Sequence, residues 1–317
     1  MSPNVVSEVC SFSVCVGDPA RPRCDATCPM CCSKMSSAGT NDEPTHGVKD
    51  IDAINLSHAC SLARNGRCQS VVLTGKGEPT IDRDEVEWYL ERLQPYDFPT
   101  VDLQTNGISL YRDLVALPED HAARRAALVW LYRLRDLGLT TVAISLVHWD
   151  PILNATVYQA KERRDQFVVR HGQLVGMLTK LGFTVRLSCV MMKGFVDRFS
   201  AVGTLVWHAK QWGARQVTVR PVGMPSVVRD PDVQAFVRSR ELDPGALPQI
   251  CELTKANAKY WRTLPHGARL YDLDGVSLCL SDCFPDNGDI SDRPTQIIFW
   301  PNGRIGGSWQ FDGFSFL

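Results

Sequence analysis

The chain has 317 residues, of which 44% are hydrophobic and 22% charged, and its formal net charge is -1 at pH 7. This balance argues against a large polyanionic partner such as nucleic acid. No apolar run approaches the roughly 20 residues of a membrane helix, and no signal peptide is evident at the N-terminus. We therefore expect a cytoplasmic protein, whose 12 cysteines are metal ligands or small hydrophobic residues rather than a disulfide framework.

Short β-branched runs alternate with longer amphipathic segments over most of the chain. Helical periodicity is evident at 82–93, 124–138, 167–182 and 199–213, and the last three segments end in glycine. Repeated strand–helix units of this kind predict right-handed crossovers and a parallel sheet. The six predicted strands are 11–16, 70–75, 100–107, 140–147, 184–192 and 216–223.

Six strand–helix units fit a partial (β/α) barrel as well as a doubly wound sheet, and in either fold the functional residues lie at the carboxyl ends of the strands. We assign residues 1–225 to this α/β core. Residues 226–317 form a C-terminal extension with one predicted helix and two predicted hairpins, which turn at Asp274-Gly275 and Asn302-Gly303. The extension is the natural lid for an open barrel.

Four cysteines lie within the stretch RCDATCPMCCSK, and three of them, Cys24, Cys28 and Cys31, are spaced C-x3-C-x2-C. A disulfide knot, a zinc knuckle, a redox pair and an iron–sulfur cradle are the alternatives. Three thiolates on one tight loop can bind three irons of a [4Fe–4S] cube and leave the fourth iron open to another ligand. Zinc sites more often use paired sets that give four ligands, and Cys32 is awkwardly placed next to Cys31 for that role.

A second motif, LTGKGEPT at 73–80, follows the second predicted strand. The cysteine spacing and this motif, in this order, resemble the radical S-adenosylmethionine (SAM) enzyme superfamily over residues 10–225. Met30 stands where that superfamily usually has an aromatic residue, and Lys76 replaces the usual second glycine. The resemblance implies a partial (β/α)6 barrel of the TIM type, a [4Fe–4S] cluster on Cys24, Cys28 and Cys31, and SAM bound to its open iron.

The resemblance also implies a set of SAM contacts at successive strand ends. The motif after strand two would hold the SAM amino group, an arginine on strand five would pair with the SAM carboxylate, and a serine on strand four would bind the ribose. The implied cofactor-binding residues are Met30, Gly75, Lys76, Gly77, Glu78, Asn106, Ser145, Arg186, Ser188 and Val222.

In this superfamily, reductive cleavage of SAM yields a 5′-deoxyadenosyl radical that abstracts hydrogen from the substrate, so no side chain is expected to act as an acid or base. An electron donor such as flavodoxin or ferredoxin is implied. We expect a small-molecule substrate resembling a nucleoside, nucleotide or sugar, from a biosynthetic pathway. Peptide or protein modification is the alternative within the class, and a non-enzymatic zinc or iron–sulfur module is the alternative outside it.

Substrate contacts are harder to assign than cofactor contacts. Trp309 belongs to an aromatic tail that either covers the substrate or plugs the barrel. His148 lies in the loop just beyond the fourth predicted strand, and a structural role is the commoner one for a histidine. Cys279 and Cys283 are a possible second cluster site, but the tail has fewer cysteines than extensions that carry one, so we expect a reduced pair. The candidate substrate contacts are Lys76, His148, Asp150, Arg220 and Trp309.

Overall fold

The computed structural model describes seven parts of the chain, with gaps between them. Three residues singled out above, Cys32, Cys283 and Trp309, lie outside the described residues. The described ranges are 9–18, 23–31, 53–161, 167–224, 230–264, 266–281 and 296–307.

The eleven strands of the described residues form one sheet, in the order β11-β10-β1-β2-β3-β4-β5-β6-β9-β8-β7. Strands β10, β1 to β6 and β9 run parallel to one another, and β11, β8 and β7 pair antiparallel at the two edges. The strands are β1 (Ser11–Cys15), β2 (Ser70–Thr74), β3 (Thr100–Thr105), β4 (Thr141–Leu146), β5 (Thr184–Met191), β6 (Gln216–Pro221), β7 (Lys259–Thr263), β8 (Arg269–Leu273), β9 (Val276–Leu280), β10 (Gln296–Phe299) and β11 (Ile305–Gly306).

Helices connect the parallel strands, and among the described residues none is long and apolar enough to cross a membrane. The helices are α1 (Ala53–Asn65), α2 (Arg83–Leu93), α3 (Ile108–Tyr111, continued by a π-helical turn), α4 (Ala122–Asp136), α5 (Pro151–Ala155), α6 (His171–Lys180), α7 (Phe199–Trp212), α8 (Pro231–Arg240) and α9 (Ala246–Asn257).

The predicted α/β pattern is confirmed for all six core strands. The predicted glycine stops are also present, because Gly138, Gly182 and Gly213 all have positive φ directly after α4, α6 and α7. Helices α1, α3, α5 and α8 were missed. The buried face of α1 consists of Leu56, Ala59, Cys60 and Ala63, and such small residues give only a weak hydrophobic period.

Side chains alternate between the two faces of each core strand. On β4, Val142, Ile144 and Leu146 are fully buried in the main core, together with the helices that cover the outer face of the sheet. The residues between them, such as Ser145, therefore point to the inner face, where a barrel binds its ligands.

Both predicted hairpins are present. Strands β8 and β9 turn at Asp274 (φ 54) and Gly275 (φ 82), and β10 and β11 turn at Gly303 (φ 83). Each hairpin also pairs with the core, because β9 adds in parallel to β6 and β10 adds in parallel to β1. The sheet thus has eight parallel strands rather than six, since the extension satisfies backbone groups that the outer core strands leave unpaired.

Candidate cofactor site

The cysteine loop, residues 23–31, lies at the carboxyl ends of the parallel strands. The Glu78 N–H donates to the Arg23 carbonyl over 2.7 Å, which ties the start of the loop to the chain that follows β2. On its other side, the Thr27 N–H donates to the Gln159 carbonyl over 2.8 Å, beside an antiparallel bridge from Ala26. The loop is therefore fixed to the protein by backbone bonds at its start and in its middle.

Cys24, Cys28 and Cys31 are half-buried, and none of the three forms a disulfide. The Cys24 sulfur accepts hydrogen bonds from the Ala26 N–H over 3.4 Å and from the Asn106 side-chain amide over 3.7 Å. Burial raises the pKa of Cys24 to about 11. A buried thiolate here therefore needs a bound cation to offset its desolvation, and a metal cluster supplies one.

Within the described residues, no three His, Cys, Asp or Glu side chains converge on a single metal-ion position. A zinc site needs such convergence. A cubane cluster makes a different demand, because each thiolate binds its own iron. Three reduced cysteines on one short loop, with N–H groups directed at one sulfur, match the donor chemistry of a [4Fe–4S] cluster.

Gly75 and Gly77 are required by the close approach of two backbone segments. A Cβ on Gly75 would lie 2.3 Å from the Val16 carbonyl oxygen, and a Cβ on Gly77 would lie 2.1 Å from the Arg23 carbonyl oxygen. The resemblance described above implies that Gly75 and Gly77 bind SAM. In the structure, the approaching group is the protein itself, at the entrance to the cysteine loop.

Glu78 is only 3% exposed. Its Oε1 accepts from the Thr80 N–H (3.1 Å) and from the Thr80 and Thr105 hydroxyls (both 2.7 Å), while its Oε2 accepts from the Asn106 N–H (2.8 Å). Burial and the neighbouring Asp25 carboxylate raise its pKa to about 7, against the effect of these bonds. The carboxylate predicted to orient SAM therefore already links the chain after β2 to the end of β3 by hydrogen bonds.

Asn106, directly after β3, extends this hydrogen-bond network to the cysteine loop. Its side-chain oxygen accepts from the Ile108 N–H over 2.8 Å, and its amide donates to the Asp25 carboxylate over 2.8 Å. The Ser109 hydroxyl donates to the other Asp25 oxygen over 2.6 Å. Sequence reasoning singled out Asn106 but missed Asp25, Thr105 and Ser109, and the only available signal was that Thr105 lies inside the LQTNG strand end.

Lys76 is 6% exposed and lies near the thiol of Cys15, at the end of β1. Burial raises the pKa of Cys15 to about 12, and a backbone hydrogen bond from Lys76 and its positive charge act in the opposite direction. The structure thus places the lysine against a buried thiol, while its role as a substrate contact stays a prediction.

The predicted SAM contacts on β5 already have protein partners. Arg186 forms an ion pair with Asp102 of β3, across the small residue Ala143 of β4. Ser188, which lies opposite Ser145 in the register, accepts a hydrogen bond from Arg220 over 3.2 Å. A SAM carboxylate would have to displace Asp102 to reach Arg186, so that assignment remains a prediction.

His148 and Asp150 lie just beyond β4. Asp150 caps α5 by accepting from the Ile152 and Leu153 N–H groups, over 2.8 and 3.0 Å. The His148 ring accepts from the Asp150 N–H over 2.9 Å and stacks on Trp149. Burial lowers the pKa of His148. Both side chains have local structural roles, and a substrate contact would come in addition to them.

The ends of β4, β5 and β6 are covered by apolar side chains. The residue immediately after each strand is hydrophobic and buried, and all three pack in one cluster with the cysteine loop and with α8. We call this cluster the apolar side of the site, and the network of Glu78, Thr105, Asn106 and Asp25 the polar side. The apolar side comprises Met30, Val147, Val157, Met192, Val222, Val233 and Val237.

A cavity of about 260 Å³ lies between the cysteine loop and the start of α8. Its lining contains Cys28 and polar side chains as well as Val233. The lining residues of the cavity are Thr27, Cys28, Pro29, Gln159, Asp230, Asp232 and Val233.

Cys279, the described member of the predicted cysteine pair, lies on β9, away from the cysteine loop and next to Thr218 in the register.

No family model and no curated protein matches the chain. Among solved structures, Streptococcus suis SuiB bound to S-adenosylmethionine is similar, with a TM-score of 0.56 and 16% identity over 98% of this chain and 62% of that one. SuiB bound to its precursor peptide SuiA gives a TM-score of 0.56 and 14% identity, over 96% of this chain and 60% of that one. Escherichia coli coproporphyrinogen III oxidase (HemN), a radical SAM enzyme, gives a TM-score of 0.45 and 14% identity, over 81% of this chain and 55% of that one.

The chain therefore spans about three-fifths of the length of SuiB. At this level of identity the likeness establishes the fold, which includes the parallel sheet predicted from the strand–helix pattern. The predicted parallel α/β fold is confirmed, and the chain shares the fold of SuiB, which was solved with S-adenosylmethionine bound.

Proposed function

We propose that the protein is a radical SAM enzyme in which Cys24, Cys28 and Cys31 hold a [4Fe–4S] cluster. The observation that carries this proposal is the polar side, because Glu78, Asn106 and Asp25 join the cysteine loop directly to the ends of β2 and β3. When bound, the cluster and SAM would supply a 5′-deoxyadenosyl radical for hydrogen abstraction. The residues of the chain position these groups and exclude water.

SAM would lie against the strand ends on the inner face. Backbone groups of Gly75 to Gly77 would face its amino group, because the Glu78 carboxylate is committed to four protein donors. Ser145 is half-buried on the inner face and would meet the ribose. The apolar side, which includes Val222 and Met30, would border the adenine.

For the substrate, we propose a small metabolite related to a nucleoside, nucleotide or sugar. The near-neutral charge supports a small ligand, as does the packing of α8 against Met30, which partly encloses the strand ends. The candidate contacts remain Lys76, His148, Asp150, Arg220 and Trp309. We place the protein in the cytoplasm, with flavodoxin or ferredoxin as its electron donor.

Peptide modification is the second candidate. It is supported by SuiB, a structural neighbour that was crystallised with its precursor peptide. A peptide substrate needs an open groove, whereas a metabolite needs an enclosed pocket.

Anaerobic reconstitution with iron and sulfide tests the enzymatic proposal. We expect brown [4Fe–4S] absorption and release of 5′-deoxyadenosine after reduction in the presence of SAM. Substitution of Cys24, Cys28 or Cys31 by serine should abolish both signals. Cys251→Ser is the matched control, because it also replaces a half-buried thiol but lies outside the loop, and it should retain both.

The failure of this experiment has two distinct forms. Cluster formation with no SAM binding would favour a non-enzymatic iron–sulfur module, whereas no cluster at all would overturn the proposal. If 5′-deoxyadenosine forms, its release can be compared between a protein-free metabolite pool and a peptide library. Stimulation by the metabolite pool supports the first substrate class, and stimulation by the peptides supports the second.

A further inference from the structure

Asp25 forms hydrogen bonds with three groups outside the cysteine loop. Its two carboxylate oxygens bind different partners, the Asn106 amide at 2.8 Å and the Ser109 hydroxyl at 2.6 Å. Its backbone oxygen accepts from the Lys161 N–H over 2.8 Å. One loop residue thus contacts the segments that follow both β3 and α5.

Three polar groups of Asn106 are held by hydrogen bonds. Its N–H donates to Glu78, its side-chain oxygen accepts from Ile108, and its side-chain nitrogen donates to Asp25. Gly107 has a φ of 78°, which lets the chain turn directly into α3. The Asn106 amide therefore has little freedom to rotate, and its nitrogen stays 3.7 Å from the Cys24 sulfur.

We propose that Asp25 and Asn106 form a bracket that positions Cys24 and directs an N–H group at its sulfur. This inference rests on the proposed function, because it assigns a role toward the cluster that Cys24 would hold. A hydrogen bond to a ligating sulfur withdraws charge from it and raises the reduction potential of the cluster. The bracket is thus a positioning device that makes the cluster easier to reduce.

Asn106→Ser tests the bracket. Serine retains an oxygen that can accept from the Ile108 N–H and leaves the backbone bond to Glu78 in place, but it removes the donor to Asp25 and Cys24. We expect a more negative midpoint potential in an anaerobic redox titration followed by electron paramagnetic resonance (EPR). In the apo chain, we expect faster hydrogen exchange of the amides at 24–31.

Two further variants complete the experiment. Asn257→Ser is an equivalent change at the end of α9, where the exposed side-chain amide donates to the Leu253 carbonyl, and it should leave both measurements at wild-type values. Ser109→Ala removes the other donor to Asp25 and nothing that faces sulfur, so it should speed exchange without a comparable shift in potential.

An unchanged midpoint potential and unchanged exchange in Asn106→Ser overturn the bracket, while the proposed function stands if the wild-type chain still cleaves SAM. An Asn106→Ser chain that keeps its circular dichroism but binds less iron supports the positioning role. If Asn106→Ser does not fold, Asp25→Asn gives the second reading, and wild-type exchange in that variant counts against the bracket. A wild-type chain that forms no cluster overturns the bracket and the proposed function together.

Discussion

The polar side and the apolar side hold the same cysteine loop by different means. On the polar side, Asp25 joins a chain of hydrogen bonds that runs through Asn106 to the buried carboxylate of Glu78. On the apolar side, Met30 packs in one hydrophobic cluster with Val222 and Val237. Hydrogen bonds fix angle and distance, whereas apolar contacts mainly require volume.

This difference predicts where the loop tolerates change. Removal of one polar partner leaves other buried groups unsatisfied, which costs more than the bond itself contributes. Removal of a methyl group on the apolar side costs only transfer and cavity energy. We therefore expect the polar side to determine the geometry of the cysteines, and the apolar side to contribute mainly to stability.

The largest effect is expected for Glu78→Ala. The change leaves the Thr80, Thr105 and Asn106 donors without their buried acceptor, so we expect a loss of about 3–5 kcal/mol in the free energy of unfolding. Urea titration of the apo chain measures it. Glu119→Gln is the control, because that side chain is 91% exposed and should leave the midpoint unchanged. A wild-type midpoint for Glu78→Ala would contradict the role of the polar side.

The next effect concerns pH and Glu85, a 5% exposed carboxyl that accepts from the Gly17 N–H over 3.0 Å. Burial raises its pKa from 4.5 to about 7. The folded state therefore holds this proton more tightly than the unfolded state, and the stability that protonation gives is lost as pH rises from 4.5 to about 7. This group alone should cost about 3 kcal/mol over that window.

Glu85→Gln keeps the acceptor for Gly17 but does not titrate. Urea midpoints at pH 4.5 and pH 8 should therefore differ less for this variant than for the wild type. Glu119→Gln should keep the wild-type difference. An equal difference for Glu85→Gln would show that Glu85 does not titrate in this window.

Gly77→Ala should give a somewhat smaller loss of stability but a large loss of iron. Its Cβ would lie 2.1 Å from the Arg23 carbonyl oxygen, so the start of the cysteine loop must move, at about 2 kcal/mol. Iron per chain after reconstitution should fall toward background. Gly176→Ala in α6, where nothing beyond the neighbouring residues and the backbone of the same helix lies within 4 Å of the added Cβ, should keep its iron and gain about 0.5–1 kcal/mol.

The smallest effect is expected on the apolar side. Val237→Ala deletes two methyl groups from a fully buried side chain, so we expect a loss of about 1–2 kcal/mol with iron loading intact. Val129→Ala, at a position that is 68% exposed, is the control for both measurements. Loss of iron in Val237→Ala would show that packing also determines the geometry of the cysteines.

Sequence patterns predicted those elements whose signals are local. The six core strands and the glycine-terminated helices follow from periodicity within one segment, and the hairpin at Asp274-Gly275 follows from its turn residues. The pairing of β9 with β6 and of β10 with β1 joins segments that are distant in the chain, and no local pattern encodes it.

The site shows the same limit. Cys24 and Glu78 stand in recognisable motifs, but Asp25 meets Asn106 and Ser109, which are 81 and 84 positions further along the chain. In the sequence alone, an aspartate in a loop indicates only a turn. Likewise, Arg186 was assigned to SAM by its place on a strand, and its ion pair with Asp102 becomes visible only when β3 and β5 lie on either side of β4.

The most direct test is EPR of the reduced, reconstituted protein with and without SAM. If the cysteine loop holds a cluster with one open iron, the wild-type chain gives one [4Fe–4S] signal that changes when SAM binds. That signal disappears in Cys24→Ser and persists in Cys251→Ser. A signal that SAM leaves unchanged, or one that survives Cys24→Ser, would contradict the assignment of this loop as the cofactor site.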